Sequence, residues 1–159
     1  MTFLSRRIAF GLAAIPLLAV PAAAQDFDPA KGTRTLGSRF DFDTLLKRLE
    51  KSVADNGMTL VAQASASRGA AGRGVKIPGN AVVMVFRNDF AVRMLEVSEA
   101  AGIEAPLRLY VVENANGTAT LSYRPPTVVF APYHAAKLDA LARELDPIFR
   151  KIADQAVGS

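Results

Sequence analysis

The stretch APLRLYVVENANGTATLSY, residues 105–123, holds two alternating runs around Asn114-Ala115-Asn116-Gly117. In 107–113 and again in 118–123, apolar side chains recur at every second position, the period of a strand with one buried face. Asn-Gly between them supplies the positive φ values that a tight reversal needs. The pattern predicts a β-hairpin, with the rest of the chain arranged to cover one of its faces.

Upstream, residues 81–87 (AVVMVFR) form a nearly continuous apolar run, which predicts a central strand buried on both faces. Asn88-Asp89 then caps a helix through about Ala101, stopped by Gly102 and kept from resuming by Pro106. Residues 58–65 alternate loosely and read as another strand. Between these strands, residues 66–80 carry Gly69, Gly72, Gly74 and Gly79 and read as an irregular connection. Arg73 between two glycines could cradle an anion through backbone N–H groups, but no Gly-Lys-Ser/Thr follows it.

The clearest helix opens at Asp41, whose carboxylate can accept the free N–H groups of a first turn. Phe42, Leu45, Leu46, Leu49 and Val53 then keep the spacing of one buried stripe, and Asn56-Gly57 ends it. Residues 33–40 read as a first strand. After the hairpin, residues 124–133 combine Pro125, Pro126 and Pro132 with Val128, Val129, Phe130 and Tyr133. Such a loop either folds back onto the core or lines a pocket or a partner surface. A last helix begins near His134 or Ala135, with Leu138, Leu141, Leu145, Ile148 and Ile152 in phase. Asp146-Pro147 inside it suits an N-cap and first turn, which predicts two short helices or one kinked there. The resulting order, β-α-β-β-α-β-β-α, describes an α+β domain: an antiparallel β-sheet with helices packed on one face.

Residues 1–24 have the anatomy of a signal peptide. Arg6-Arg7 is basic, residues 8–20 are apolar, and Pro21-Ala22-Ala23-Ala24 is a small-residue cleavage site. Thirteen residues reach only about 20 Å as a helix, short of the roughly 30 Å hydrocarbon core, so no stable membrane span survives cleavage. Ser5-Arg6-Arg7 allows the twin-arginine route as well as ordinary Sec export, although Ala9 stands where the twin-arginine motif usually has a bulky apolar residue. The expected location is periplasmic or secreted, with residues 25–38 an exposed lead-in and 39–157 a single domain.

The 159 residues carry a formal charge of +4. Removing Arg6 and Arg7 leaves 17 basic against 15 acidic residues, a net of +2. The basic residues are interleaved with acids, as in Lys47-Arg48-Leu49-Glu50-Lys51, so a solvated face is expected and no nucleic-acid partner. With no cysteine, disulfides, thiolate nucleophiles, Cys-ligated zinc and iron–sulfur clusters are excluded.

Several of these residues also carry a family resemblance. Ile77-Pro78, the strand ending Phe86-Arg87-Asn88, Met94-Leu95 and Gly102-Ile103-Glu104-Ala105-Pro106-Leu107-Arg108 occur in an order that resembles the domain of unknown function family 302. Asn116-Gly117 and Leu121-Ser122-Tyr123 before a proline complete the match, which extends over roughly residues 39–156. The resemblance implies a compact α+β domain that self-associates as a homo-oligomer, and it implies no biochemical role. Family members commonly read Phe-Gly-Asn-Pro where this chain has Phe86-Arg87-Asn88-Asp89. An Asp-His pair often seen after the second strand is replaced near Ser67-Arg68.

His134 is the sole histidine, and no Gly-x-Ser-x-Gly elbow offers it a nucleophile. Beside Tyr133 it could instead serve as a single axial haem ligand, and no cofactor is assigned. The best cluster joins Phe86, Arg87 and Asn88 at the end of one strand with Tyr123 and Arg124 at the end of another, next to Tyr133 and His134. Were those ends adjacent, cations, an amide and aromatics would converge on a small anionic or aromatic ligand. The alternative is that the aromatics fill the core edge and the arginines are solvated. The reading that follows is an exported ligand-binding or interaction module. A cofactor-independent enzyme using Tyr123, Arg124 and His134 and a structural homodimer are its rivals.

Overall fold

The computed structural model describes residues 31–158; the signal peptide read in residues 1–24 lies outside the described residues. The hairpin forms as β4 (Leu107–Glu113) and β5 (Ala119–Tyr123), paired from Leu109 opposite Tyr123 to Glu113 opposite Ala119. Its turn closes through Asn114 N–H to Thr118 O at 2.8 Å, and Gly117 takes φ +80°. Asn116 Oδ1 accepts from both Thr118 N–H and Thr118 Oγ1, so the Asn-Gly pair supplies a side-chain acceptor as well as a permissive backbone.

This hairpin is the middle of the molecule. The sheet runs β1-β5-β4-β3-β2, antiparallel at every pairing, with β1 (Arg34–Gly37) and β2 (Thr59–Ala64) at the edges and β3 (Asn80–Phe86) beside β4. β1 falls within residues 33–40, read as a first strand, although its four residues also lie in the stretch assigned to the lead-in. Successive strand residues point to opposite faces. Val83, Val85, Leu109, Val111 and Leu121 are completely or almost completely buried on one of them.

Two long helices cover that face. α1 (Phe42–Asp55) starts where Asp41 accepts Thr44 N–H at 2.8 Å, as its sequence predicts, and buries Leu45, Leu46, Leu49 and Val53. α5 (Ala136–Val157) lies against it, and Arg48 fastens the two by donating to the carbonyls of Ala156 and Gln155 at 2.7 Å each. Buried Ser52 adds a bond to Ile152 O at 3.0 Å.

Four expectations need correction. β3 is not buried on both faces: Val82, Met84 and Phe86 are half-exposed, because the described helices stand on the opposite side. Residues 66–71 are a short helix, α2 (Ala66–Ala71), because Ser65 Oγ accepts Arg68 N–H and nucleates a turn that the glycines seemed to preclude. α3 (Asn88–Val97) stops four residues early; extended Ser98 breaks it and caps a 3-10 turn over Glu99–Glu104, which contains Gly102. Its N-cap is Arg87, with no side-chain bond, in place of the predicted Asn88-Asp89.

The fourth concerns Pro147: of the two forms expected there, two short helices is the one overturned, since the proline lies inside a single α5. Asp146 is unavailable as an N-cap because its carboxylate accepts Thr127 N–H at 3.1 Å and Thr127 Oγ1 at 2.7 Å, holding α4 (Pro126–Phe130). The missing N–H of Pro147 would have bonded the carbonyl of Arg143, and both residues are exposed, so water can serve that carbonyl. Beyond the proline, Phe149, Ile152 and Ala156 are fully buried. At about 1.5–3 kcal/mol for each large side chain, their burial exceeds the roughly 3 kcal/mol that an internal proline costs. The Pro-rich loop meanwhile folds back onto the core, with Phe130 2% exposed.

Candidate ligand-binding site

In this antiparallel order the ends of β3 and β5 lie at the same end of the sheet, with the start of β4 between them. Two strand spacings separate them by about 10 Å. Phe86, Arg87, Tyr123 and Arg124 are therefore neighbours in the broad sense foreseen, but they serve three different surroundings.

Arg87 turns toward α3. Its guanidinium stacks over Phe90 at 4.2 Å and pairs with Asp89 at 2.8 Å, a hydrogen bond that holds the Asp89 carboxyl below its ordinary value. It borders a cavity of about 30 Å³ walled by Met58, Phe90, Met94, Phe130, Leu141 and Leu145, room for a water or two and no more. Phe86 lines the same cavity, and Asn88 is exposed in the first turn of α3.

Tyr123 faces the core. It is 5% exposed, its ring lies 6.0 Å from that of Phe149, and burial pushes its phenol up from the usual range. Tyr133 packs 6.5 Å from Phe130 and donates its hydroxyl to Glu104 Oε1 at 3.1 Å; burial, then that bond, raises its phenol too. His134 is exposed with φ 50°, where it ends the 3-10 turn Ala131–Tyr133. That left-handed backbone is a local reason for the residue, and histidine is among the types that tolerate it. Among the described residues no group of three or more His, Cys, Asp or Glu is placed to hold a metal ion.

The convergence that matters involves a residue the sequence reading did not select. Leu109 faces Tyr123 and Tyr110 faces Ser122, so one step further Arg108 and Arg124 come opposite each other. Both are exposed and both leave the sheet on the face away from the helices, since Leu107, Leu109 and Tyr123 point inward. Two guanidinium groups lining the same depressions can both offer charge-assisted hydrogen bonds to one anion. Two depressions meet at this pair. One, of about 250 Å³ at the sheet end, is lined by Glu104, Leu107, Arg108, Arg124 and Val129. The other, of about 300 Å³ on the open face, the one that no described helix covers, includes Thr33, Val82, Arg108, Tyr110, Ser122 and Arg124.

Arg108 was legible in principle. The alternation Leu107-Arg108-Leu109-Tyr110 already places 108 and 110 on the polar side of β4, but its partner was not legible: a two-residue Asn116-Gly117 turn would set Leu109 level with 124, whereas the observed closure through Asn114 and Thr118 sets 108 there.

No curated protein matches the chain. A crystal structure of an uncharacterized conserved protein DUF302 from Bacillus stearothermophilus has the same fold, with a TM-score of 0.71 at 20% identity. The alignment covers 79% of this chain and 98% of that one. The family model for the domain of unknown function DUF302 matches residues 34–156, from the first residue of β1 to the end of α5 but one. Spanning the whole sheet and its helices, that match establishes that this chain belongs to the DUF302 family.

Proposed function

We propose that this protein is an exported module that binds a small anionic ligand at the Arg108–Arg124 pair. The observation that carries the reading is the cross-strand placement of two exposed guanidinium groups at the junction of two depressions. Planar guanidinium forks from neighbouring strands suit a carboxylate or phosphate, each oxygen of which can accept a charge-assisted hydrogen bond. Export rests on the signal-peptide anatomy of residues 1–24.

Titration calorimetry with acetate and with inorganic phosphate tests the binding. Saturable binding is expected, weakened about tenfold or more in Arg108→Ala and in Arg124→Ala, because bonds to a charged group are each worth about 1.5–3 kcal/mol. Binding that persists unchanged in the double variant, or none in the parent protein, overturns the reading. For export, intact mass of the protein from a periplasmic fraction should correspond to a chain beginning at Gln25.

A further inference from the structure

We propose that the ligand is an aromatic carboxylate whose ring lies on the open face of the sheet against Tyr110. This rests on the anion reading above and adds to it what the rest of the ligand is and where it goes.

The two depressions beside the arginine pair are not equivalent. The one at the sheet end contains the Glu104 carboxylate, which the Tyr133 hydroxyl holds in place. A second carboxylate entering there meets a fixed negative charge, whereas the open-face depression has no acidic residue among its described lining residues. An anion therefore approaches the arginines from the open face.

On that face the row next to the arginines runs Val82, Tyr110, Ser122 and Thr35 across β3, β4, β5 and β1. Two residues along a strand set this row about 7 Å from the arginine row, a distance the long guanidinium side chains and a short aryl acid together bridge. Tyr110 is 40% exposed at the centre of the row, with half-buried Val82 on one side. On the other side the hydroxyls of Ser122 and Thr35 stand 3.1 Å apart and form a polar border. A phenol ring flanked by a branched aliphatic on a sheet face is a stacking platform for a planar ring. Cations at one end, an aromatic floor and a hydroxyl edge match one chemical class: a ring bearing a carboxylate.

The experiment compares acetate, benzoate and cyclohexanecarboxylate on the full-length mature chain by calorimetry, with the Tyr110 ring followed by NMR. Ring stacking is expected to make benzoate bind about threefold to tenfold tighter than acetate. Cyclohexanecarboxylate, of similar size but without a π-face, should gain less, and benzoate should shift the Tyr110 ring signals. Tyr110→Ala should abolish the advantage of benzoate over acetate, while Tyr110→Phe should retain it. Acetate binding that depends on the arginines, with benzoate no tighter, or an advantage that survives Tyr110→Ala, overturns the aromatic assignment and leaves the anion site standing. Failure of all three acids to bind overturns the aromatic assignment, and failure of inorganic phosphate as well overturns the anion site itself.

Discussion

The guanidinium of Arg93 on α3 meets both carboxylate oxygens of Glu144 on α5, at 2.9 and 2.7 Å. It is a two-pronged bond between helices 51 positions apart, and it closes α3 over the apolar cavity that Arg87 borders. The hydrogen bonds and charge of Arg93 hold the Glu144 carboxyl below its ordinary value of 4.5. A carboxyl lowered on folding stabilises the fold above its unfolded value and loses that contribution as pH falls through the folded one. Thermal midpoints of the parent and Glu144→Gln should therefore differ at pH 7 and converge in the acid range below the folded value. The pair is solvent-exposed, so the pH 7 difference should be small and shrink further in 1 M salt.

Phe149 is fully buried and packs 6.0 Å from the ring of Tyr123, joining α5 to the end of β5. Phe149→Ala should cost about 3–5 kcal/mol in denaturant unfolding, since the surrounding helix and strand cannot collapse into the void. A loss below about 1 kcal/mol would mean that this end of the core is not packed as described.

Pro147→Ala should stabilise the protein. The proline sits on the exposed side of an unbroken α5, and alanine restores the bond to the Arg143 carbonyl. A gain of about 1–3 kcal/mol is expected by chemical denaturation. No gain would indicate that α5 is interrupted there after all.

Gly79 lies under the Phe42 ring, and a Cβ added there would stand 2.7 Å from Cγ and Cδ1 of that ring. Those atoms are at the base of the ring, so a rotamer change cannot clear them cheaply. Gly79→Ala should cost about 1–3 kcal/mol, as overpacking does, and Gly79→Ala with Phe42→Leu should recover part of it.

The elements legible from the chain were those with a strong local signal. Asp41 and the stripe from Leu45 to Val53 mark α1 without help from the rest of the molecule, and the Asn-Gly reversal marks the hairpin. The misreadings came where a distant partner decided. Asp146 looks like an N-cap until Thr127 is seen to occupy its carboxylate. The run 81–87 looks doubly buried because apolar spacing reports where side chains alternate, not what covers them. Phe86, Arg87, Tyr123 and Arg124 do lie at one end of the sheet, a condition the sequence leaves open, yet Arg87 is committed to Phe90 and Asp89, and Tyr123 to Phe149.

What the sequence by itself determined is the set of local choices: a hairpin at Asn116-Gly117, a capped amphipathic α1, an apolar stripe along α5, and an α+β order. These follow from side-chain periodicity and backbone preference, which act over a few residues. Only the tertiary structure decided which strand lies between β3 and β5, that one sheet face is left open among the described residues, and that Arg108 and Arg124 line the same depressions. Strand order and register come from pairings across long stretches of chain, and no local preference of either arginine encodes the other's position.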